Sequence, residues 1–383
     1  MQCDYFDAGL CRSCTEMGIP YSAQLQSKEA HLRHQLSAFR EITWLPSYAS
    51  DESAFRNKAK MVVGGTVGSP TLGILDADGL GVDLRACGLC SPGLTQTLPA
   101  IAAFITAAGL TPYSVPERRG ELKYVLVTES PDGELMLRFV LSGEAPLPRL
   151  RQHLAALQHE LPDAVVVSAN IHPEHKATLE GEQEILLTER SSLPMRLDGL
   201  TLHLRTRSFF QTNTAVAREL YRQGSDWVRE VGPATLWDLY CGVGGFALHS
   251  ARALADGDAG HPRITGIEMS EEAIASAQLS ADEAGLRGLE FAAGDATAFV
   301  RDAEEQPEMV IVNPPRRGLG AELCALLDQS PTRHVLYSSC NAVTLAKDLA
   351  RMPGLEPIRV RLMDMFPQSH HYETMVLLRR RNL

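Results

Sequence analysis

The chain has 383 residues, of which 22% are charged and 44% hydrophobic. That is the balance of a globular protein with room for two or three domains and a real core. The longest apolar run, Pro99–Leu110, is 12 residues; a membrane span needs about 20, so no bilayer crossing is expected. The first residues have no basic segment followed by an apolar one, so no secretory signal is read and a cytoplasmic location is the expectation. The net charge of −11, taken whole, argues against a nucleic-acid binder. Its distribution matters more. Between Ala255 and Val310 stand thirteen acidic and three basic residues, which leaves the rest nearly neutral. Short basic clusters occur in that remainder: Arg56, Lys58 and Lys60; Arg118, Arg119 and Lys123; Arg205 and Arg207; Arg316 and Arg317. RNA binding is therefore allowed.

In chain order, Phe55–Val63 and Thr71–Leu75 read as strands joined by a glycine-rich turn. Glu121–Thr128 and Glu134–Leu141 are β-rich runs separated by Ser130-Pro131-Asp132-Gly133, a strong turn signal. Leu147–Leu161 reads as a helix and Ala164–Ile171 as extended, so the part before about Arg205 is α+β. From Ser208 the rhythm changes. A helix over Thr214–Glu230 precedes strands at Thr235–Tyr240, Ile264–Glu268, Leu289–Ala292, Met309–Val312 and His334–Ser338, each followed by a helix. Ser270 is a good N-cap, and Glu271 and Glu272 suit a helix's positive first turn. Such alternation predicts a doubly wound parallel sheet with its ligand at the carboxyl ends of the strands. The final runs, Glu356–Leu362 and Glu373–Leu378, fit an antiparallel hairpin better than another crossover.

Asp238-Leu239-Tyr240-Cys241-Gly242-Val243-Gly244-Gly245-Phe246 follows a strand and opens a helix. Glycines there let the backbone turn tightly and approach a ligand closely. Glu268 ends the next strand, at the spacing where a carboxylate takes ribose hydroxyls. Asp295 ends the following one, placed to accept from an adenine amino group. Together they favour an adenosine ligand over ordinary capping. The DxxCGxGGF form resembles motif I of class I S-adenosylmethionine-dependent methyltransferases, and it lacks both the GxGxxG spacing of nicotinamide domains and the lysine of a P-loop.

After Met309–Val312 the rigid turn Asn313-Pro314-Pro315-Arg316-Arg317-Gly318 leaves Asn313 at the sheet edge, because proline cannot continue the strand. Arg316 and Arg317 suit phosphate contacts. Cys340 ends the next strand amid Ser338, Ser339 and Asn341, where a helix N-terminus would lower its pKa and favour thiolate. Cys324 has the apolar neighbours of a core cysteine, and Cys241 sits within the glycine turn. Glu373, after His370-His371-Tyr372, is a carboxylate that could face the same pocket.

Taken in order, SFFQTN (Ser208 to Asn213), DLYCGVGGF, GIE, NPPRRG, SSCN and HYE resemble the RNA uracil-C5 methyltransferase family across essentially the whole chain, with FRNKAKMV similar to its N-terminal segment. The OB-type domain that leads many large members is not seen. The resemblance implies an N-terminal α+β domain and a class I methyltransferase domain. Residues 1–90 would be an iron–sulfur segment with a basic β-hairpin, 91–207 the rest of the RNA-binding domain, and 208–383 the catalytic domain. It further implies Cys340 as nucleophile and Glu373 as base, with Gln211, Tyr240, Glu268 and Asn313 shaping the S-adenosylmethionine site. Many members carry Asp where this chain has Asn313, which leaves open whether that side chain touches cofactor or the uracil edge. The short opening MQCxxxDAGxCRSC is most similar to members acting on 23S ribosomal RNA, and implies uracil 747 as target with no obligate protein partner. Two other readings remain: an RNA or protein N-methyltransferase using NPPR, and a non-catalytic iron–sulfur RNA-binding protein.

In a cytosolic chain of this size, clustered cysteines point to metal or catalysis rather than disulfides. Cys3, Cys11 and Cys14 with distant Cys87 resemble the [4Fe–4S] ligand set of part of the family, and four thiolates suit such a cluster. A zinc site from Cys11, Cys14, Cys87 and Cys90 is the rival; its gap exceeds usual zinc-ribbon spacing and it leaves Cys3 unused. The CxxxCxxC spacing of radical enzymes is absent, so a structural or RNA-positioning cluster is expected.

Overall fold

The computed structural model describes residues 1–176, 178–255 and 262–381. It divides into two compact units, Met1–Met17 with Glu52–Met195, and Gly18–Asp51 with Arg196–Leu383.

The first unit is built on a seven-stranded sheet in the order Gly81–Asp83, Ser69–Leu75, Lys58–Thr66, Leu122–Glu129, Leu135–Leu141, Ala164–Ile171, Gln183–Leu186. The turn between Leu122–Glu129 and Leu135–Leu141 closes where Ser130 N–H donates to the Glu134 carbonyl and Gly133 takes φ +86°. Leu135–Leu141 and Ala164–Ile171 are parallel, so a crossover is needed, and the helix Leu147–Glu160 supplies it. A second helix, Pro92–Ala107, is capped by the Ser91 hydroxyl. Its Leu94, Leu98, Ile101 and Ile105 are fully buried at helical spacing in the core of this unit. The long apolar run of the sequence is thus largely the core-facing helix of an α+β unit. No described helix is long and apolar enough to cross a membrane.

The second unit carries an eight-stranded sheet. Its order is Thr43–Trp44, Leu355–Met363, Glu373–Arg380, His334–Ser339, Met309–Val312, Thr235–Leu239, Arg263–Glu268, Leu289–Ala293. The last five in that order pair in parallel. Met309–Val312 is buried at every residue, as a strand covered on both faces must be. Leu355–Met363 and Glu373–Arg380 are antiparallel to one another, as the sequence implied. The second of them inserts between its partner and His334–Ser339, and is antiparallel to both.

Residues 18–51 depart from the domain division read in the sequence, which left them in an N-terminal segment. They form the helix Tyr21–Gln35 and the strand Thr43–Trp44, which pairs with Arg359 and Val360 at the edge of the second sheet. An edge strand presents unpaired amides and carbonyls that any segment can satisfy, so nothing in the local sequence announces this partner. The boundary near 207 also moves, to Met195/Arg196. The strand Leu200–Arg205 belongs with the second unit, where His203 N–H donates to Ser280 Oγ at 3.0 Å.

Candidate active site

All the sequence-derived candidates of the second unit except Gln211 stand at or just beyond strand ends of this one sheet. Tyr240, Glu268, Asp295 and Asn313 follow or end four adjacent parallel strands, and Cys340 follows the fifth. Glu373 reaches the same edge by the opposite route: it begins a strand that runs antiparallel, with Thr374 paired to Ser339. A parallel strand there would have sent its first residue to the far edge.

The glycine turn is made by backbone conformation. Tyr240 takes φ +65°, a left-handed value unusual for a side chain with a Cβ, and Gly242 and Gly244 take +55° and +82°. Nothing lies within 4 Å of where a Cβ on Gly242 would point, whereas one on Gly245 would lie 2.5 Å from the Tyr221 ring. Asp238 anchors the turn from below, one oxygen accepting from Ala247 N–H at 2.9 Å. The other is buried without a partner. Burial, with the nearby Glu268 charge adding to it, pushes the Asp238 carboxyl up to about 8. Glu268 accepts from Gly242 N–H at 3.3 Å through one oxygen and from Ser270 N–H at 3.1 Å through the other. It therefore ties the glycine turn to the start of the next helix. Asp295 is exposed and caps its helix, accepting from Ala298 N–H at 2.9 Å. Gln211 is buried, while Phe209 two residues earlier is 70% exposed.

The thiol and the carboxyl come together. Asn341, not Cys340, caps the helix Ala342–Ala350, its side chain accepting from Val343 and Thr344 N–H. The expectation that a helix terminus lowers the Cys340 pKa is corrected here: the first free amides are taken by Asn341. Burial raises the thiol, the Glu373 charge raises it further, and Arg316 works against both. Glu373 is buried with one oxygen unpartnered, and burial pushes it up to about 8, again opposed by Arg316.

Arg316 is the residue whose place the sequence did not indicate. It read as a phosphate contact, yet its guanidinium stands beside Cys340 and Glu373. The Asn341 amide and the Thr344 hydroxyl donate to its carbonyl at 3.2 and 3.1 Å, which ties the NPPR turn to the start of the helix that follows Cys340. The only local signal was the rigid turn itself.

In the first unit the structure brings Cys3, Cys11, Cys14 and Cys87 into electrostatic contact. Burial pushes the Cys14 thiol up to about 11, and Cys87, Cys11 and Cys3 each add to the rise while Arg56 opposes it. Among the described residues no group of three or more His, Cys, Asp or Glu could hold a metal ion as it stands. Cys90 is buried in the apolar core beside Cys87, and its thiol, with local amides and Arg56, draws the Cys87 pKa down. Lys58, expected among the basic groups, is half-buried and pushed down to about 8 by burial, then by Lys60 and Arg138.

A central parallel sheet into which the chain's last strand is inserted in reverse, with a glycine turn and a carboxylate at adjacent strand ends, defines a class I S-adenosylmethionine-dependent methyltransferase fold. Residues 180–381 match the family model described as tRNA (uracil-5-)-methyltransferase. The chain is 49% identical over 382 residues, 99% of each protein, to the 23S rRNA (uracil(747)-C(5))-methyltransferase RlmC of Halothiobacillus neapolitanus. It is 49% identical over 379 residues, again 99% of each, to the protein of that name from Yersinia pseudotuberculosis. Among solved structures, the Pyrococcus abyssi tRNA (uracil-54, C5)-methyltransferase in complex with S-adenosyl-L-homocysteine has a similar fold. Its TM-score is 0.76 at 23% identity, covering 95% of this chain and 85% of that one. This chain belongs to the tRNA (uracil-5-)-methyltransferase family.

Proposed function

We propose that the protein methylates C5 of a uracil in 23S ribosomal RNA, uracil 747, through a covalent adduct with Cys340. The observation that carries this is the meeting of Cys340, Arg316 and Glu373 at the edge that holds the glycine turn. The target base follows the names of the relatives that match at 49% identity over 99% of the chain.

Uracil C5 is too weak a nucleophile to take a methyl group unaided. The Cys340 thiolate adds to C6, and the C5=C6 electron pair moves toward the C4 carbonyl as an enolate. S-adenosylmethionine, when bound, supplies an electrophilic methyl on a sulfonium, which C5 takes up. The chain must then remove the C5 proton. Glu373 accepts it, the pair left behind re-forms C5=C6, and the C6–S bond breaks to release Cys340. A buried carboxyl pushed up to about 8 is a strong base once ionised and is matched to neutral conditions. Arg316 favours the charged forms of both groups.

The cofactor site fits its ligand by its donors and space. The Glu268 carboxylate, already fixed by two amides, would take the ribose hydroxyls, and the open side of Gly242 leaves room for a ligand to approach the backbone; Tyr240, Asn313, Asp295 and Gln211 would line the rest of the site. Phe209 offers an exposed ring for base stacking.

Cys3, Cys11, Cys14 and Cys87 would hold a [4Fe–4S] cluster. Four corner irons need four separated thiolates rather than a tight single-ion cage, and Cys14 lies near enough to the other three for each to raise its pKa. No step of the methyl transfer is assigned to it.

Replacing Cys340 by Ala should abolish methyl transfer, whereas Glu373→Gln should permit addition and transfer but stall release. An SDS-resistant protein–RNA adduct is expected with Glu373→Gln and not with Cys340→Ala. Normal turnover by Cys340→Ala would exclude the covalent route and favour amine methylation at the NPPR turn. Mass spectrometry of mapped nucleosides from cells lacking the protein tests the target, since loss of 5-methyluridine elsewhere than 747 would reassign it.

A further inference from the structure

Residues 364–372 run directly into Glu373, and one stripe of the helix Tyr21–Gln35 grips them. Asp364 accepts from Lys28 Nζ at 2.8 Å and from Tyr21 Oη at 2.8 Å. Lys28 Nζ also donates to the Phe366 carbonyl at 3.1 Å. Gln24 and Gln368 form a reciprocal pair: Gln24 Nε2 donates to Gln368 Oε1 at 3.0 Å, and Gln368 N–H donates to Gln24 Oε1 at 3.0 Å. His31 Nδ1 meets Tyr372 Oη at 2.6 Å. Positions 21, 24, 28 and 31 share one face of a helix.

Two features mark this as more than packing. The Lys28 and Asp364 side chains are 2% and 0% exposed. A buried ion pair is seldom more stabilising than apolar residues of the same volume, but it tolerates only one geometry. Gln368 is held at φ +65°, a strained value for a residue with a Cβ that persists only where its surroundings impose it. On its other side Thr374 pairs with Ser339, the residue before Cys340, and Glu373 itself pairs with Met363, the residue that precedes the loop. The loop therefore closes this strand pair at the residue that bears the carboxyl.

We propose that Lys28 and Gln24 are positioning residues that hold the loop 364–372, and through it place the Glu373 carboxyl against Cys340. This rests on the role of Glu373 given above, but its geometric part is testable without it. Neither residue touches the reacting atoms. They act from a segment that the sequence order places far from the catalytic domain.

The test compares wild-type protein with Lys28→Met/Asp364→Asn, Gln24→Leu and Glu373→Gln. The double variant removes both buried charges and so leaves neither unpaired. The first readout is the rate of iodoacetamide alkylation of the Cys340 peptide against pH, by mass spectrometry. Glu373→Gln should lower the titration midpoint of the thiol by removing the neighbouring charge. If the loop places Glu373, the other two variants should shift it in the same direction while their circular dichroism stays native. A wild-type midpoint in both, against a shifted one in Glu373→Gln, would overturn the proposal, as would no shift in Glu373→Gln itself. The second readout is turnover. The double variant should release methylated RNA about ten-fold more slowly while single-turnover methyl transfer stays within about two-fold. A moved midpoint with unchanged release would leave the positioning intact and remove Glu373 as the base. Equal loss of transfer and release, with the midpoint unmoved, would mean a merely structural role.

Discussion

Glu373 and Cys340 share one electrostatic problem: burial raises the cost of charging each, and the Glu373 charge raises it further for Cys340. Glu373 titrates well above an ordinary carboxyl, so the folded protein binds a proton that the unfolded chain has released. Stability must therefore fall as pH rises from the ordinary carboxylate range to about 8, by up to ~1.4 kcal/mol per pH unit for this group. Glu373→Gln should remove that loss, and its Tm advantage over wild type should widen between about pH 5 and pH 8 in thermal melts. A constant difference would show that the carboxyl is not held neutral. Arg316→Gln takes away the charge that opposes both shifts, so single-turnover methyl transfer at neutral pH should fall about ten-fold or more and recover partly on raising the pH. Recovery identifies an ionisation defect; a pH-independent loss would point to misplacement of RNA. Cys340 and Glu373 were legible as reactive types at strand ends. Arg316 was not, since its direction depends on Asn341 and Thr344 binding its carbonyl.

The turn that carries Arg316 stands on Asp348. Its buried carboxylate accepts from Leu319 N–H and from Tyr337 Oη, both at 2.8 Å. Gly318 takes φ +80°, and a Cβ there would lie 2.3 Å from Asp348 Oδ2. Gly318→Ala should cost about 1–3 kcal/mol in denaturant unfolding and also slow methyl transfer, because the element that shifts is the one aiming Arg316. Loss of stability with unchanged transfer would separate the turn from the site. The strands of the second unit were readable from their apolar runs and flanking turns. The insertion of Glu373–Arg380 between Leu355–Met363 and His334–Ser339 was not, because strand order is a choice among edges that a local pattern cannot express.

For the whole molecule, the four thiols separate from the methyl-transfer machinery by residue. Cys87→Ser should bleach an anaerobically purified brown protein, and Cys90→Ser should not, as absorbance and iron analysis would record. A colourless anaerobic preparation with one zinc per chain would replace the cluster by an ion. RNA affinity should fall with salt despite the acidic total charge, because phosphate contacts release counterions. Arg118 and Arg119 are exposed, so changing both to Gln should reduce the salt slope by up to about 2 while leaving cofactor affinity unchanged. Lys58 is a poor choice for that test, given its burial and depressed pKa.

By itself the sequence determined the alternating α/β order from Ser208, the glycine turn with Glu268 after it, and Cys340 and Glu373 as reactive types beside their turns. These are local matters, settled by periodicity, capping and backbone freedom within a few residues. Tertiary structure alone decided that residues 18–51 join the second unit, that the strand beginning at Glu373 inserts between Leu355–Met363 and His334–Ser339, and that burial raises the Cys340 pKa that a helix terminus was expected to lower. Each depends on which distant surfaces meet. Edge pairing, strand order and desolvation are set by the assembled neighbours of a residue, and no spacing along the chain encodes them.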